Sequence, residues 1–252
     1  MDLISIAGII LGATILIAGV YTTGVLPVFL QWQAIVIVFG GTLASTMIGT
    51  PRRQLFTCGR AALALVTGHK HQPSKAISTI TSLSKKSLQN GIFSLQGEVK
   101  KLKDSFLEKA VKLVVSGMDS DTIRKILEKE VIEMRSRHKD TANIIRTMGM
   151  YSPMFGLLGT ILGIIQLLRH FKDPSSIGPS MALSIVSTFY GIFLANMVFI
   201  PLASKLRLQS QDEVLYKEML LEGMLGIQAG EMPYTIEKYL QSFMAKHQTG
   251  EK

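Results

Sequence analysis

No Asp, Glu, Lys or Arg occurs from Leu3 to Thr50, from Thr147 to Leu168 or from Pro174 to Ser204. A water-soluble domain does not leave such windows uncharged, because its surface must be hydrated. A bilayer core of ~30 Å needs about 20 apolar helical residues per crossing. The first window is too long for one crossing and divides at Gly24-Val25-Leu26-Pro27. Spans are therefore expected at about 3–20, 29–49, 147–168 and 178–202. The fold class expected is an all-α integral membrane protein. It has four transmembrane helices, a helical cytoplasmic domain between the second and third, and a cytoplasmic C-terminal helix.

Charge orients the chain. Residues 50–147 carry 19 of the 27 Lys and Arg but 9 of the 18 Asp and Glu, an excess of +10 against +9 for the whole chain. Basic segments stay inside, so this stretch and both termini are expected in the cytoplasm. Loop 21–28 is uncharged, whereas loop 169–176 carries Arg169 and Lys172. The start Met1-Asp2 has no basic n-region, so the first apolar segment reads as a retained span rather than a cleaved signal. One cysteine, Cys58, excludes an intrachain disulfide framework and reads as a packing residue. The basic balance suits anionic lipid. It does not indicate nucleic acid, because acidic residues alternate with the basic ones at helical spacing without interleaved aromatics.

The domains expected are 1–49 (helices one and two), 50–146 (cytoplasmic), 147–204 (helices three and four) and 205–252 (cytoplasmic C-terminal helices and tail). Within the cytoplasmic pieces, Pro73-Ser74 opens a helix with Ile77, Ile80 and Leu83 on its apolar face, closed at Gly91. A second runs from about Ser105 to Ser116. A third starts at Asp119-Ser120-Asp121, good N-cap chemistry, and carries Ile123, Leu127, Val131 and Met134 on one side. The fourth span continues past Lys205 and ends near Gly226 or Gly230. Pro233 starts a last helix with Ile236, Tyr239, Leu240 and Phe243 on one side.

No catalytic constellation, phosphate loop or metal-ligand spacing is present, so no enzyme, cofactor or metal site is expected. His69 and His71 are i, i+2 and diverge on a helix. Spans three and four carry small, partly polar faces. Ser152, Gly156, Thr160 and Gly163 recur at steps of 4, 4 and 3, and Ser180, Ser184, Ser187 and Thr188 give the fourth span a similar small, hydroxyl-bearing face. Such faces serve close helix packing or line a water-filled ion path, and the residues alone leave both open. Pro153 and Pro201 each remove a backbone donor. No titratable group lies deep in a span. A coupled ion path normally uses a carboxylate, so one would have to come from another polypeptide.

These features resemble the MotA/PomA family of flagellar stator A subunits, nearer its PomA branch. The resemblance runs from Met1-Asp2-Leu3 and Gly40-Gly41 through Gly117-Met118-Asp119 and Pro153-Met154-Phe155-Gly156-Leu157-Leu158-Gly159-Thr160. It continues in Asp173-Pro174, Ile177-Gly178-Pro179-Ser180, Tyr190-Gly191, Pro201-Leu202-Ala203 and Glu222-Gly223-Met224-Leu225-Gly226. It implies a multi-pass protein of the bacterial inner membrane, a homo-oligomer (a pentamer) around a pair of B-type subunits (MotB/PomB-like). Each B subunit supplies one transmembrane Asp. The complex carries Na+ or H+ and turns ion flow into torque on the rotor protein FliG. By this resemblance Thr160, Ser187 and Thr188 line the ion pathway, and Pro153 and Pro201 take part in coupling. Hydroxyl oxygens suit a partly dehydrated sodium ion, which favours sodium over the proton. One departure is visible. Leu88 and Gln96 stand where the family has a rotor-facing Arg and Glu, leaving Lys85, Lys86 and Glu98 to carry charge on that surface. The competing reading is an ion-driven energy-transducing channel of a non-flagellar system, ExbB/TolQ-like or defence-type, although the ExbB/TolQ relatives have three spans.

Overall fold

The computed structural model describes residues 3–22, 24, 26–67 and 72–249. The Met1-Asp2 start and the His69/His71 pair lie outside these residues. The described chain is helical, with no strand among the described residues. In order, the elements are α1 (Leu3–Thr22), α2 (Leu26–Phe29), α3 (Trp32–Gly49), α4 (Arg52–Thr67), α5 (Pro73–Asn90), α6 (Ser105–Val115), α7 (Ser120–Arg169), α8 (Pro174–Gln228) and α9 (Pro233–Thr249). Two 3₁₀ segments, Ile92–Gly97 and Val99–Lys101, join α5 to α6.

Local chemistry sets these boundaries. The Asp104 carboxylate accepts from the N–H groups of Phe106 (2.9 Å) and Leu107 (3.1 Å), capping α6. Asp119 accepts from Thr122 N–H at 2.9 Å and caps α7. Asp173 accepts from Ser175 N–H at 3.0 Å and caps α8, with Pro174 at the first helical position. At the other end of α8, Gly230 has φ +73°, and Glu231 N–H reaches back to Gly226 C=O at 3.0 Å. This is a left-handed glycine stop, which a side chain at that position would strain.

Helices α3, α7 and α8 each contain a stretch long and apolar enough to cross a membrane. Helix α1 is a 20-residue uncharged helix, about 30 Å at 1.5 Å per residue. Most of the exposed side chains of α7 between Tyr151 and Leu168 are apolar, among them Leu157, Ile161, Ile165 and Leu168, with Gln166 the polar exception. That surface fits hydrocarbon or partner helices and does not fit water. Two turns depart from α geometry. Val36–Gly40 and Leu194–Phe199 are π-helical. The second lies just before Pro201, whose missing N–H and ring interrupt the regular ladder.

The chain forms two compact units, residues 1–68 with 138–207 and residues 69–137 with 208–252. The packing boundaries thus differ from the charge boundaries at 50, 147 and 205. Cys58 of α4 is buried with Ala142, Ile145, Ala203 and Leu206, so α4 and residues 138–146 pack with the apolar helices. In the second unit, Ile80, Leu95, Phe106, Ile123, Leu127, Met219, Leu220, Met224, Ile236 and Leu240 form one core. Ile123, Leu127, Val131 and Met134 all face it. Tyr239 does not; it stays exposed at the rim, edge-on to Phe243 at 5.6 Å.

Candidate ion-pathway site

The site is the seam between the apolar parts of α7 and α8. Small residues bring the two backbones together. A Cβ added to Gly191 would lie 2.6 Å from Ser152 O and 3.1 Å from Gly156 Cα, and one on Gly156 would lie 2.9 Å from Ser187 O. Backbone cannot yield to such contacts, so only glycine fits at either position. Ser152 is fully buried and donates across the seam to Gly191 O at 3.1 Å.

Farther along the seam the hydroxyls meet. Those of Thr160 and Thr188 are hydrogen-bonded to each other. The Thr160 hydroxyl also lies 3.0 Å from Ser184 O and 3.2 Å from Gly156 O. It has one proton, so when it donates to Ser184 O it accepts from Thr188. The Ser184 hydroxyl returns a bond to Thr160 O at 3.1 Å. Thr160 and Thr188 are half-buried. Part of each residue is therefore solvent- or lipid-accessible.

Ser187 is placed differently. It is fully buried against Gly159, and its hydroxyl donates to Leu183 O at 2.7 Å within its own helix. The structure therefore brings Thr160 and Thr188 together and sets Ser187 inside the seam, one position from Thr188. The Ser180 hydroxyl is buried without a hydrogen-bond partner. Two contributors go beyond the residues that sequence reasoning assigned to the pathway. One is the reciprocal bonding of Ser184. The other is Tyr190, whose hydroxyl donates to Phe29 O and anchors α2 beside α8. The serine spacing points towards Ser184, whereas the Tyr190 contact joins residues 161 positions apart and has no local signal.

Pro153 stands in the α7 face beside Gly191, and Pro201 follows the π-helical turn of α8. The seam holds no Asp, Glu, Lys, Arg or His. Its oxygens can solvate a cation or orient water, but none can bind and release a proton near neutral pH.

The charged candidates Lys85, Lys86 and Glu98 belong to the other unit. Lys86 Nζ lies 2.6 Å from Glu98 Oε1, and Lys101 Nζ lies 3.1 Å from the same oxygen. Those hydrogen bonds, Lys86 first, hold the Glu98 carboxyl below the usual carboxylate range. Lys85 is exposed and has no ion-pair partner among the described residues. Leu88, Phe93 and Gln96 are exposed too.

A helical chain with long charge-free helical stretches, two of them joined through a seam of small and hydroxyl-bearing residues, has the make-up of a membrane-protein subunit. The model of the MotA/TolQ/ExbB proton channel family matches residues 98–219. Motility protein A of Cereibacter sphaeroides is 34% identical, covering 94% of this chain and 93% of that protein. The YtxD protein of Bacillus subtilis is 31% identical over 98% of this chain and 92% of its own length. The chemotaxis protein PomA of Vibrio alginolyticus is 30% identical over 97% and 96%. Among solved structures, the flagellar MotAB stator complex of Bacillus subtilis superposes with a TM-score of 0.90 at 28% identity, covering 97% of each chain. The chain belongs to the MotA/TolQ/ExbB family, among its motility protein A and PomA members.

Proposed function

We propose that this chain is the channel-forming A subunit of an ion-driven flagellar stator. It spans the inner membrane four times with both termini inside. Several copies, five by analogy, surround a pair of B-type subunits whose transmembrane Asp meets the Thr160–Thr188 edge. Ion binding and release at that Asp alters its contact with α7 and α8, and the ring steps around the anchored pair. Lys85, Lys86 and Glu98 then carry the rotor contact with a FliG-type protein.

The observation that carries this reading is the Thr160–Thr188 pair. Two half-buried threonines on facing helices pair through their hydroxyls on a seam that lacks Asp, Glu, Lys, Arg and His. Such a seam is chemically incomplete as an ion path and is completed by a guest carboxylate. The similar Bacillus subtilis structure is a flagellar MotAB stator complex, which supports a B-type partner. Full-length similarity to motility proteins supports the flagellar reading over a non-flagellar channel. The hydroxyl oxygens favour sodium, because a proton needs only the carboxylate. The test is swimming speed of a stator-deleted host carrying this chain and its B partner, with sodium varied at constant ionic strength. Speed rising with sodium supports the sodium-driven reading; sodium-independent swimming assigns the proton instead; absence of swimming by an assembled complex removes the flagellar role.

A further inference from the structure

In the first unit, a cavity of about 210 Å³ opens between the end of α3, the start of α4 and the middle of α7. This is room for several waters. On α7 its wall is Asp140, Asn143, Thr147 and Tyr151, one stripe at steps of 3, 4 and 4. Ser45 and Thr50 face it from the end of α3. Almost every lining side chain offers oxygen, and none is Lys, Arg or His.

Asp140 is the informative member. Residues 1–68 and 138–207 contain three acidic residues (Asp2, Asp140, Asp173) against nine Lys and Arg. In such an excess a carboxylate is expected to pair with a cation. Asp140 nevertheless has no ion pair or hydrogen bond among the described residues. Neither do the side chains of Asn143 and Tyr151. The cavity also lies where the charge-free segments end: in sequence, Arg52 comes two residues after the lining Thr50, and Arg146 comes just before the lining Thr147. A cation arriving there meets a repulsive field from the basic segment, and one unpaired carboxylate offsets that field locally. An anion would meet no donor charge in the lining. Tyr151 stands nine residues before Thr160 on the same helix, about 14 Å at 1.5 Å per residue.

We propose that this cavity binds a hydrated monovalent cation, held by the Asp140 carboxylate with hydroxyl and amide oxygens around its water shell. Resting on the stator reading, it is the inner waiting point for ions that have left the Thr160–Thr188 edge. Hard cations take oxygen ligands, and retained waters fill the coordination that the cavity walls leave open.

The test uses the purified full-length chain in nonionic detergent. Sodium-23 NMR relaxation is followed as sodium chloride replaces N-methylglucamine chloride at constant ionic strength. The wild type is expected to show saturable excess relaxation that falls at least threefold in Asp140→Asn. It should persist in Asp140→Glu, with circular dichroism confirming the fold of each variant. No saturable excess in the wild type, or an unchanged excess in Asp140→Asn, overturns the proposal and leaves Asp140 a solvated carboxylate. The measurement needs neither partner nor motility, so its outcome is independent of the stator reading.

Discussion

Thr160 and Thr188 lie on different helices and hydrogen-bond to each other through their hydroxyls, 28 positions apart in sequence. Between helices in a membrane such a pair has modest strength. Double-mutant cycles on comparable contacts average about 0.6 kcal/mol. A cycle of Thr160→Ala, Thr188→Ala and the double variant, read by detergent-denaturation midpoints, is expected to give a coupling of that size. Strict additivity would show that the two hydroxyls do not support each other.

The glycine seam makes a sharper expectation. Gly191→Ala drives a methyl into Ser152 O and the Gly156 backbone, and overpacking of this kind costs about 1–3 kcal/mol. Gly178→Ala meets open space and is expected to stay within about 0.5 kcal/mol of the parent. Thermal midpoints of the two purified variants separate these outcomes. Equal midpoints would mean that the helices do not approach as described.

In the second unit, Leu127 is fully buried in the core built from α5, α6, α7, α8 and α9. Leu127→Ala is expected to lose about 2–5 kcal/mol. The Arg124 guanidinium pairs with both Glu222 oxygens, at 2.7 and 3.3 Å. Because Arg124 is 42% exposed, solvent screening limits Arg124→Ala to about 1 kcal/mol. Urea denaturation of the full chain should rank the two variants in that order.

Acid sensitivity follows from Glu98. Its carboxyl is held below the usual range by Lys86 and Lys101. A depressed carboxylate contributes stability that is present above its unfolded value and lost as pH falls through the folded one. The wild type should therefore lose stability below about pH 4.5 more steeply than Glu98→Gln. Parallel pH profiles from 6 to 3, followed by circular dichroism, would contradict the pairing.

Much of this arrangement is legible from local chemistry. The charge-free windows mark the apolar stretches of α1, α3, α7 and α8, although α7 and α8 run well beyond them. Asp119 announces the start of α7, and Gly230 the end of α8. The apolar stripe Ile123, Leu127, Val131 and Met134 faces the core as its period requires. What is not legible depends on contacts between distant segments. Lys86 and Glu98 each read as a solvated charge, and their pairing arises only because the chain turns at Gly91 and folds back through 3₁₀ segments. Ser187 and Thr188 are adjacent in sequence, yet about 100° of helix rotation puts one inside the seam and the other at its edge. The polar stripe from Asp140 to Tyr151 is visible as a helical period. The α3 wall that makes it a cavity is not. The π-helical turn at Val36–Gly40 has no proline beside it, and no local pattern announces it.

The Thr160–Thr188 edge is the proposed place where ions pass. The most direct test is sodium and proton flux through the complex of this chain with its B subunit, reconstituted in vesicles, comparing Thr188→Ala with Thr188→Ser. Retained hydroxyl chemistry should keep flux within about threefold in Thr188→Ser, whereas Thr188→Ala should fall at least tenfold, a loss of about 1.4 kcal/mol in barrier terms. Equal flux in both variants, with assembly intact, would contradict it.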